Sequence, residues 1–447
     1  MTLEPSDLIK SVLTGVSAVP SASAGMQAMM TRAVEFPGVP EAQLTGIALD
    51  PRGRELAESL LDRYWANSDR QTDLFNNGDA SRREVIIGSG FHAATYAATR
   101  VLSGYPRPLV VERDDRVGGT FALTKGPTFY LNSRNRPGAA GLAGDQGASL
   151  NYLPGAPIQA SNLSMMEYQT NTDMAFVIRL TLAQYADVLT GTRVDSAARN
   201  GSGINIQTPF GELLTGRVID ARGSGDPSSQ GIANGTTILT FPQFMKRMDG
   251  IWPLRGLRRV AVIGGGDSGK CAIESLLGVA PQPFMATNTL DRVERVDWYS
   301  EDLPTTCDVW QERIRGRYQA IGRYLRPDRF GVRRLNVINR RTQPVAIPDA
   351  ALMEGRAYDL TVMCTGSRET RIDGLNYSNF DTLNGPGGVA IATRDFSLPT
   401  YRIGPHAQLP FSTREVDDGI ADISANAVSM FRTASKTATL AATLPAL

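Results

Sequence analysis

Two strand, glycine-turn, helix runs, each answered later by an apolar strand that closes on a glycine, predict an α/β chain of two doubly wound parallel sheets. The first run, Glu84 to Phe121, opens with Val85-Ile86-Ile87 and turns through Gly88-Ser89-Gly90-Phe91-His92-Ala93 into a small-residue helix ending at Leu102. A second apolar strand, Leu109 to Val111, then ends on Glu112. The second run, Arg259 to Leu277, passes from Val260–Ile263 through Gly264-Gly265-Gly266-Asp267-Ser268-Gly269 into another helix. The closing strands are Val218 to Gly223 and Tyr358 to Gly366. Because the order is turn, closing strand, turn, closing strand, the second Rossmann-like unit is expected to be inserted in the first.

Each turn has the chemistry of a dinucleotide site. Gly88 permits the tight turn, Gly90 lets a pyrophosphate approach the backbone, and Ala93 keeps the helix close to the sheet. The helix N-terminus offers unpaired N–H groups and a positive dipole end to the phosphates. Glu112, at the tip of the second strand, is placed to accept from both hydroxyls of an adenosine ribose, with Arg113 beside it. In the second unit Gly264, Gly266, Asp267, Ser268 and Gly269 are the corresponding candidates, with Thr365 and Gly366 on its closing strand.

Composition bounds the remaining classes. The 447 residues are 42% hydrophobic and 20% charged, enough for two or three domains. Lys+Arg of 46 against Asp+Glu of 45 leaves a net charge of +1, so neither nucleic acid nor an anionic membrane is an expected partner. Three scattered cysteines, Cys271, Cys307 and Cys364, fit a reducing, cytoplasmic setting better than a disulfide framework. Two histidines, His92 and His406, are too few for a histidine metal cluster, and no metal is expected. No apolar stretch approaches a membrane span, and Glu4 and Asp7 stand where a secretory signal needs positive charge.

Along the chain, residues 1–82 form an N-terminal extension whose clearest element is an amphipathic helix, Arg52 to Asn67. It could be an arm, a cover over a cofactor cleft or a dimer contact. Residues 83–245 are assigned to the first unit, 246–366 to the inserted unit, and 367–447 to the return segment and a C-terminal helix. The run from Gly138 to about Ser164 is loop-like and long enough to suggest function. Asp173 to Leu189 reads as one helix. Cys364 reads as inert core, Cys307 as a polar-loop residue, and His92 as structural or phosphate-side.

With these motifs in place, the chain from about residue 84 onward resembles the flavoproteins with two dinucleotide-binding domains, the flavin-containing monooxygenases more than the disulfide reductases. Gly118-Gly119-Thr120-Phe121 is similar to the G-G-T-W segment of that family, and Tyr130-Leu131-Asn132-Ser133 to a following run whose asparagine lies by the flavin ring. The family's F-x-G-x-x-x-H fingerprint is absent; Ile238 to Phe244 stands there without a histidine. The resemblance implies FAD in the first unit and NADPH, or NADH, in the inserted one. It further implies oxygenation of a small-molecule substrate by molecular oxygen through a flavin C4a-hydroperoxide. Asn132, Arg134 and His406 are the catalytic candidates, and Gly404, on the returning strand, joins the cofactor group. Glu301 or Asp302 would favour the plain ribose of NADH, whereas Arg313, Arg315 and Arg317 could take a 2′-phosphate. A flavin reductase or oxidase without oxygen transfer, and a flavoprotein with a structural or sensory cofactor and a protein partner, are the alternatives; a homo-oligomer is compatible with either.

Overall fold

The computed structural model describes residues 49–76, 83–134, 168–250, 254–278, 293–340, 358–375, 391–392, 400–404 and 437–447, less a few single positions, with isolated residues between 153 and 163. Strands β1 (Glu84–Ile87) and β2 (Leu109–Val111) flank helix α3 (Phe91–Leu102), which follows helices α1 (Pro51–Trp65) and α2 (Ser68–Asn76) of the N-terminal region. Strand β3 (Tyr130–Arg134) pairs with β4 (Tyr168–Thr170), and helix α4 (Asn171–Tyr185) leads into β5 (Asp187–Leu189). An antiparallel meander, β6 (Ser196–Asn200), β7 (Gly203–Thr208) and β8 (Gly211–Thr215), precedes β9 (Arg217–Asp220).

The chain then crosses through β10 (Asp226–Pro227) to β11 (Ile238–Thr240), α5 (Phe241–Met248), β12 (Arg259–Ile263), α6 (Asp267–Leu277), β13 (Arg295–Ser300), α7 (Cys307–Arg313), β14 (Leu335–Asn339) and β15 (Leu360–Met363). It returns through β16 (Ser367–Arg368), which pairs antiparallel with β10, to β17 (Ile391–Ala392) and β18 (Thr400–Arg402). The first sheet has the order β17-β18-β9-β1-β2-β5 and the second β11-β15-β12-β13-β14; every pairing is parallel except that of the edge strand β17. Since β18 lies beside β9 while five strands of another sheet intervene in sequence, the α/β fold of two Rossmann-like units, one interrupting the other, is the observed architecture.

Parallel strands are covered on both faces, which accounts for their continuous apolar runs, and β1, β2, β9 and β15 are buried throughout. Three expectations are corrected. The helix expected from Asp173 to Leu189 stops at Tyr185, and Asp187–Leu189 is a strand paired with β2. Every residue of the two elements is buried except the half-buried Gln184 and Asp187, so no exposed face gives a period that would separate them. Ile238–Thr240 and the following helix, assigned above to the first unit, belong instead to the inserted one, because β11 extends the second sheet beside β15. Cys307 is buried at the start of α7 rather than set in a polar loop.

Helix α1 is part of the fold. Asp50 caps it by accepting from the Gly53 N–H at 2.9 Å, and Ala57, Leu61 and Trp65, on one helical stripe, are buried in the core of the first unit. At the opposite end of the chain, Arg100 of α3 donates to the carbonyls of Ala441 (2.9 Å) and Leu444 (2.7 Å), fastening the C-terminal residues to the first unit. The long C-terminal helix expected from Gly419 lies almost wholly outside the described residues.

Candidate functional site

The two turns are built alike, for the same local reasons. Gly88 adopts φ +95°, and a Cβ there would lie 3.0 Å from the Ala221 carbonyl oxygen of the closing strand. Gly264 adopts φ +114°, and its Cβ would run into the Cys364 carbonyl oxygen. Side chains are excluded at both positions twice over, by backbone conformation and by contact. The next residues in the pattern differ: Gly90 and Gly266 cap α3 and α6 in extended conformation, and a Cβ on either would meet nothing within 4 Å. The space above these two residues is therefore open, as a phosphate approaching the helix N-terminus requires.

Around the first turn a closed hydrogen-bond relay sets the geometry. Glu112 accepts from the Ser89 N–H (2.9 Å) and hydroxyl (2.6 Å) on one oxygen and from the Asp114 N–H (2.9 Å) on the other. The Ser89 hydroxyl in turn accepts from the Gly118 N–H at 3.0 Å. Gly118 is thereby tied to the first glycine turn, a Cβ on Gly119 would lie 2.9 Å from the Gly90 Cα, and Thr120 and Phe121 continue the same 3-10 turn. Burial raises the Glu112 pKa above the ordinary carboxylate value, opposed by the hydrogen bonds from Asp114 and Ser89. Gly404, just after the returning strand, packs against the buried His92 ring, which a Cβ there would approach to 3.3 Å.

Beside Gly88 and Glu112 lies a cavity of about 250 Å³, with Val194 and Ile372 in its wall and the ion pairs Asp220–Arg222 (2.7 Å) and Arg113–Asp226 (2.9 Å) at its edge. Burial alone would raise the Asp220 pKa; hydrogen bonding and charge from Arg222, with Arg402 behind, outweigh it and hold the carboxyl low. Asp226 and Thr370 belong to the two segments that join the units, so this cavity is walled by the first sheet and by the crossover together.

In the second unit Gly264, Gly266, Asp267, Ser268 and Gly269 come together at the C-terminal end of the sheet, with Thr365 and Gly366 on the adjacent closing turn. Arg317 is not among them. Its guanidinium is buried, donating to Tyr318 Oη (2.9 Å) and Cys271 Sγ (3.3 Å) and paired with Glu274 at 3.0 Å, so it cannot serve a 2′-phosphate as the sequence suggested. Arg313 ends α7 on the surface, and Arg315 lies outside the described residues. Asn132 and Arg134 are in β3, but their side chains, like all of His406, also lie outside them.

Two residues shape the site without belonging to any motif. Asn171, fully buried at the start of α4, accepts from the Thr128 N–H (2.9 Å) and donates to the Phe121 carbonyl (3.0 Å), tying the 3-10 turn to the segment before β3. Arg179, one helix face further on, donates to the Val117 carbonyl at 3.4 Å. Neither stands out in the sequence, since Thr172, Asp173, Thr181 and Gln184 of the same helix are polar as well. Phe121 packs against the cores of both units. Among the described residues no cluster of histidine, cysteine, aspartate or glutamate could hold a metal ion, and no helix is long and apolar enough to cross a membrane.

No family model and no curated protein matches the sequence. Solved structures similar to it include a mutant flavin monooxygenase from Stenotrophomonas maltophilia, 18% identical over 81% of this chain and 98% of that one, with a TM-score of 0.47. Cyclohexanone-bound cyclohexanone monooxygenase in the Rotated conformation is 14% identical over 80% and 86%, at a TM-score of 0.45. Thioredoxin reductase from T. acidophilum is 15% identical over 79% and 98%, at 0.40. On its own topology, the chain is an α/β protein with two largely parallel sheets, of six and five strands, each headed by a glycine-rich turn that leads into a helix.

Proposed function

We propose that the chain is an FAD-dependent, NAD(P)H-using monooxygenase acting on a small molecule, with FAD on the first turn and the nicotinamide nucleotide on the second. The observation that supports this most is the duplicated cradle: two helix N-termini with open space over Gly90 and Gly266, in units joined so that one interrupts the other. The first cradle fits FAD, since Glu112 stands in the cavity wall and its second oxygen, which accepts from the Asp114 N–H, keeps a further lone pair for a ribose hydroxyl. Bound FAD would supply two-electron chemistry and oxygen activation. The chain's own part is positional. Gly88, Gly90 and Ala93 seat the pyrophosphate, Glu112 and Arg113 the adenosine, and Gly118 to Phe121 with Gly404 the inner half of the cofactor. Gly264, Gly266, Asp267, Ser268, Gly269, Thr365 and Gly366 seat NADPH or NADH. Asn132, Arg134 and His406 are proposed to donate to the cofactor or substrate oxygens. Three free, buried cysteines suit a cytoplasmic protein.

The activity is tested by isotope-labelled O2. With NADPH and a panel of amines, sulfides and ketones, label is expected in an oxidised product. Stoichiometric hydrogen peroxide without labelled product would instead identify an oxidase.

Glu112 carries a separable prediction. Ribose hydroxyls donate to the ionised carboxylate, so FAD affinity is expected to rise as pH passes upward through the raised pKa of Glu112 and to fall below it. Glu112→Gln should lose this dependence and bind FAD roughly tenfold more weakly, the equivalent of about one charge-assisted hydrogen bond. Isothermal titration of the apoprotein with FAD across that pH range checks both.

A further inference from the structure

We propose that helix α1, which precedes the first strand of either unit in sequence, is a positioning element of the first site, in which Glu58 and Asp62 hold the Gly118–Gly119 pair on the phosphate turn through Arg179 and Arg116. The inference rests on the reading of that turn as the FAD site.

Arg179 is 0% exposed and stands between α1 and the glycine pair. On one side it meets Glu58 Oε2 (3.0 Å), the Glu58 carbonyl (3.2 Å) and Asp62 Oδ1 (2.5 Å), with its guanidinium 5.1 Å from the centre of the Trp65 ring. On the other it donates to the Val117 carbonyl, and its Cγ lies 3.8 Å from where a Gly118 Cβ would be. Arg116, the residue before Val117, is gripped by the same Glu58 carboxylate at 3.2 Å. Beyond Val117 the contacts continue inward. The Gly118 N–H donates to Ser89, Ser89 to Glu112, and a Cβ on Gly119 would lie 2.9 Å from the Gly90 Cα.

One carboxylate on α1 thus fixes two arginines that bracket the loop, and the loop fixes the tilt of the turn whose N–H groups would face the phosphates. A guanidinium held by fixed acids is pre-organised, so the loop adopts its bound geometry before a ligand arrives.

The test is Glu58→Gln combined with Asp62→Asn in the full-length chain, which keeps shape and removes both charges. Amide hydrogen exchange over Val117–Phe121 is expected to accelerate roughly tenfold, with exchange in β12 and α6 unchanged. FAD affinity is expected to fall by a similar factor, and the visible circular dichroism of bound flavin to change. Unchanged exchange at Val117–Phe121 overturns the proposal. Faster exchange with unaltered FAD affinity and dichroism also overturns it, leaving α1 a structural brace only. If the wild-type protein binds no FAD, the reading of the site fails, and the positioning role with it, whatever the exchange arm shows.

Discussion

Replacing Glu84 with alanine is expected to destabilise the protein by about 3 to 5 kcal/mol, the range for breaking a buried ion pair from one side. Glu84 begins β1, and its carboxylate accepts from Arg100 twice (2.7 and 3.0 Å), from the Tyr96 hydroxyl (3.0 Å) and from Arg217. All four side chains are buried, so alanine would leave two guanidinium groups out of water without a counter-charge. The same arginines donate to the C-terminal carbonyls, Arg217 reaching Pro445 at 3.1 Å, so loss of Glu84 also loosens the last residues of the chain. Chemical denaturation followed by circular dichroism checks this. Glu84→Ala with Arg100→Met should recover part of the loss, because one of the orphaned charges is removed with it. A single-variant cost below about 1 kcal/mol would place the cluster among solvated surface pairs.

Gly90→Ala is expected to have the opposite profile, leaving the fold intact and removing the ligand. Gly90 has an ordinary backbone conformation, and its Cβ would meet nothing within 4 Å, so the apoprotein should unfold at the wild-type midpoint. The added methyl would occupy the space through which a pyrophosphate approaches the helix N-terminus, and FAD affinity should fall by at least about tenfold, or 1.4 kcal/mol. Gly266→Ala should do the same to the nicotinamide nucleotide while FAD binding stays at the wild-type value. By contrast, Gly88→Ala and Gly264→Ala should destabilise the fold itself, since both have positive φ and meet a closing-strand carbonyl.

The difference between these glycines also marks what the sequence could reveal. The turns were legible because their requirement is local: a few residues fix the backbone, and the strand before and helix after follow at short range. The insertion was legible because closing strands repeat in order. The border between α4 and β5 was hidden because Asn171 to Leu189 is buried almost throughout, and pairing with β2 is what separates strand from helix. The placement of β11 depended on a partner, β15, more than a hundred residues away. Arg179 and Asn171 carried no motif, and Arg317 pointed to a phosphate it does not face. Their roles come from where the chain folds back upon them, and a solvent-facing arginine looks the same in sequence as one sealed between two acids.

The most direct measurement of the central claim is an anaerobic titration of the purified, FAD-loaded protein with NADPH and with NADH, followed by visible absorbance. The duplicated cradle predicts a bound flavin that one of the two nucleotides bleaches in the wild type and in no comparable concentration range in Gly266→Ala. A flavin that neither nucleotide reduces, or one reduced equally well in Gly266→Ala, would contradict it.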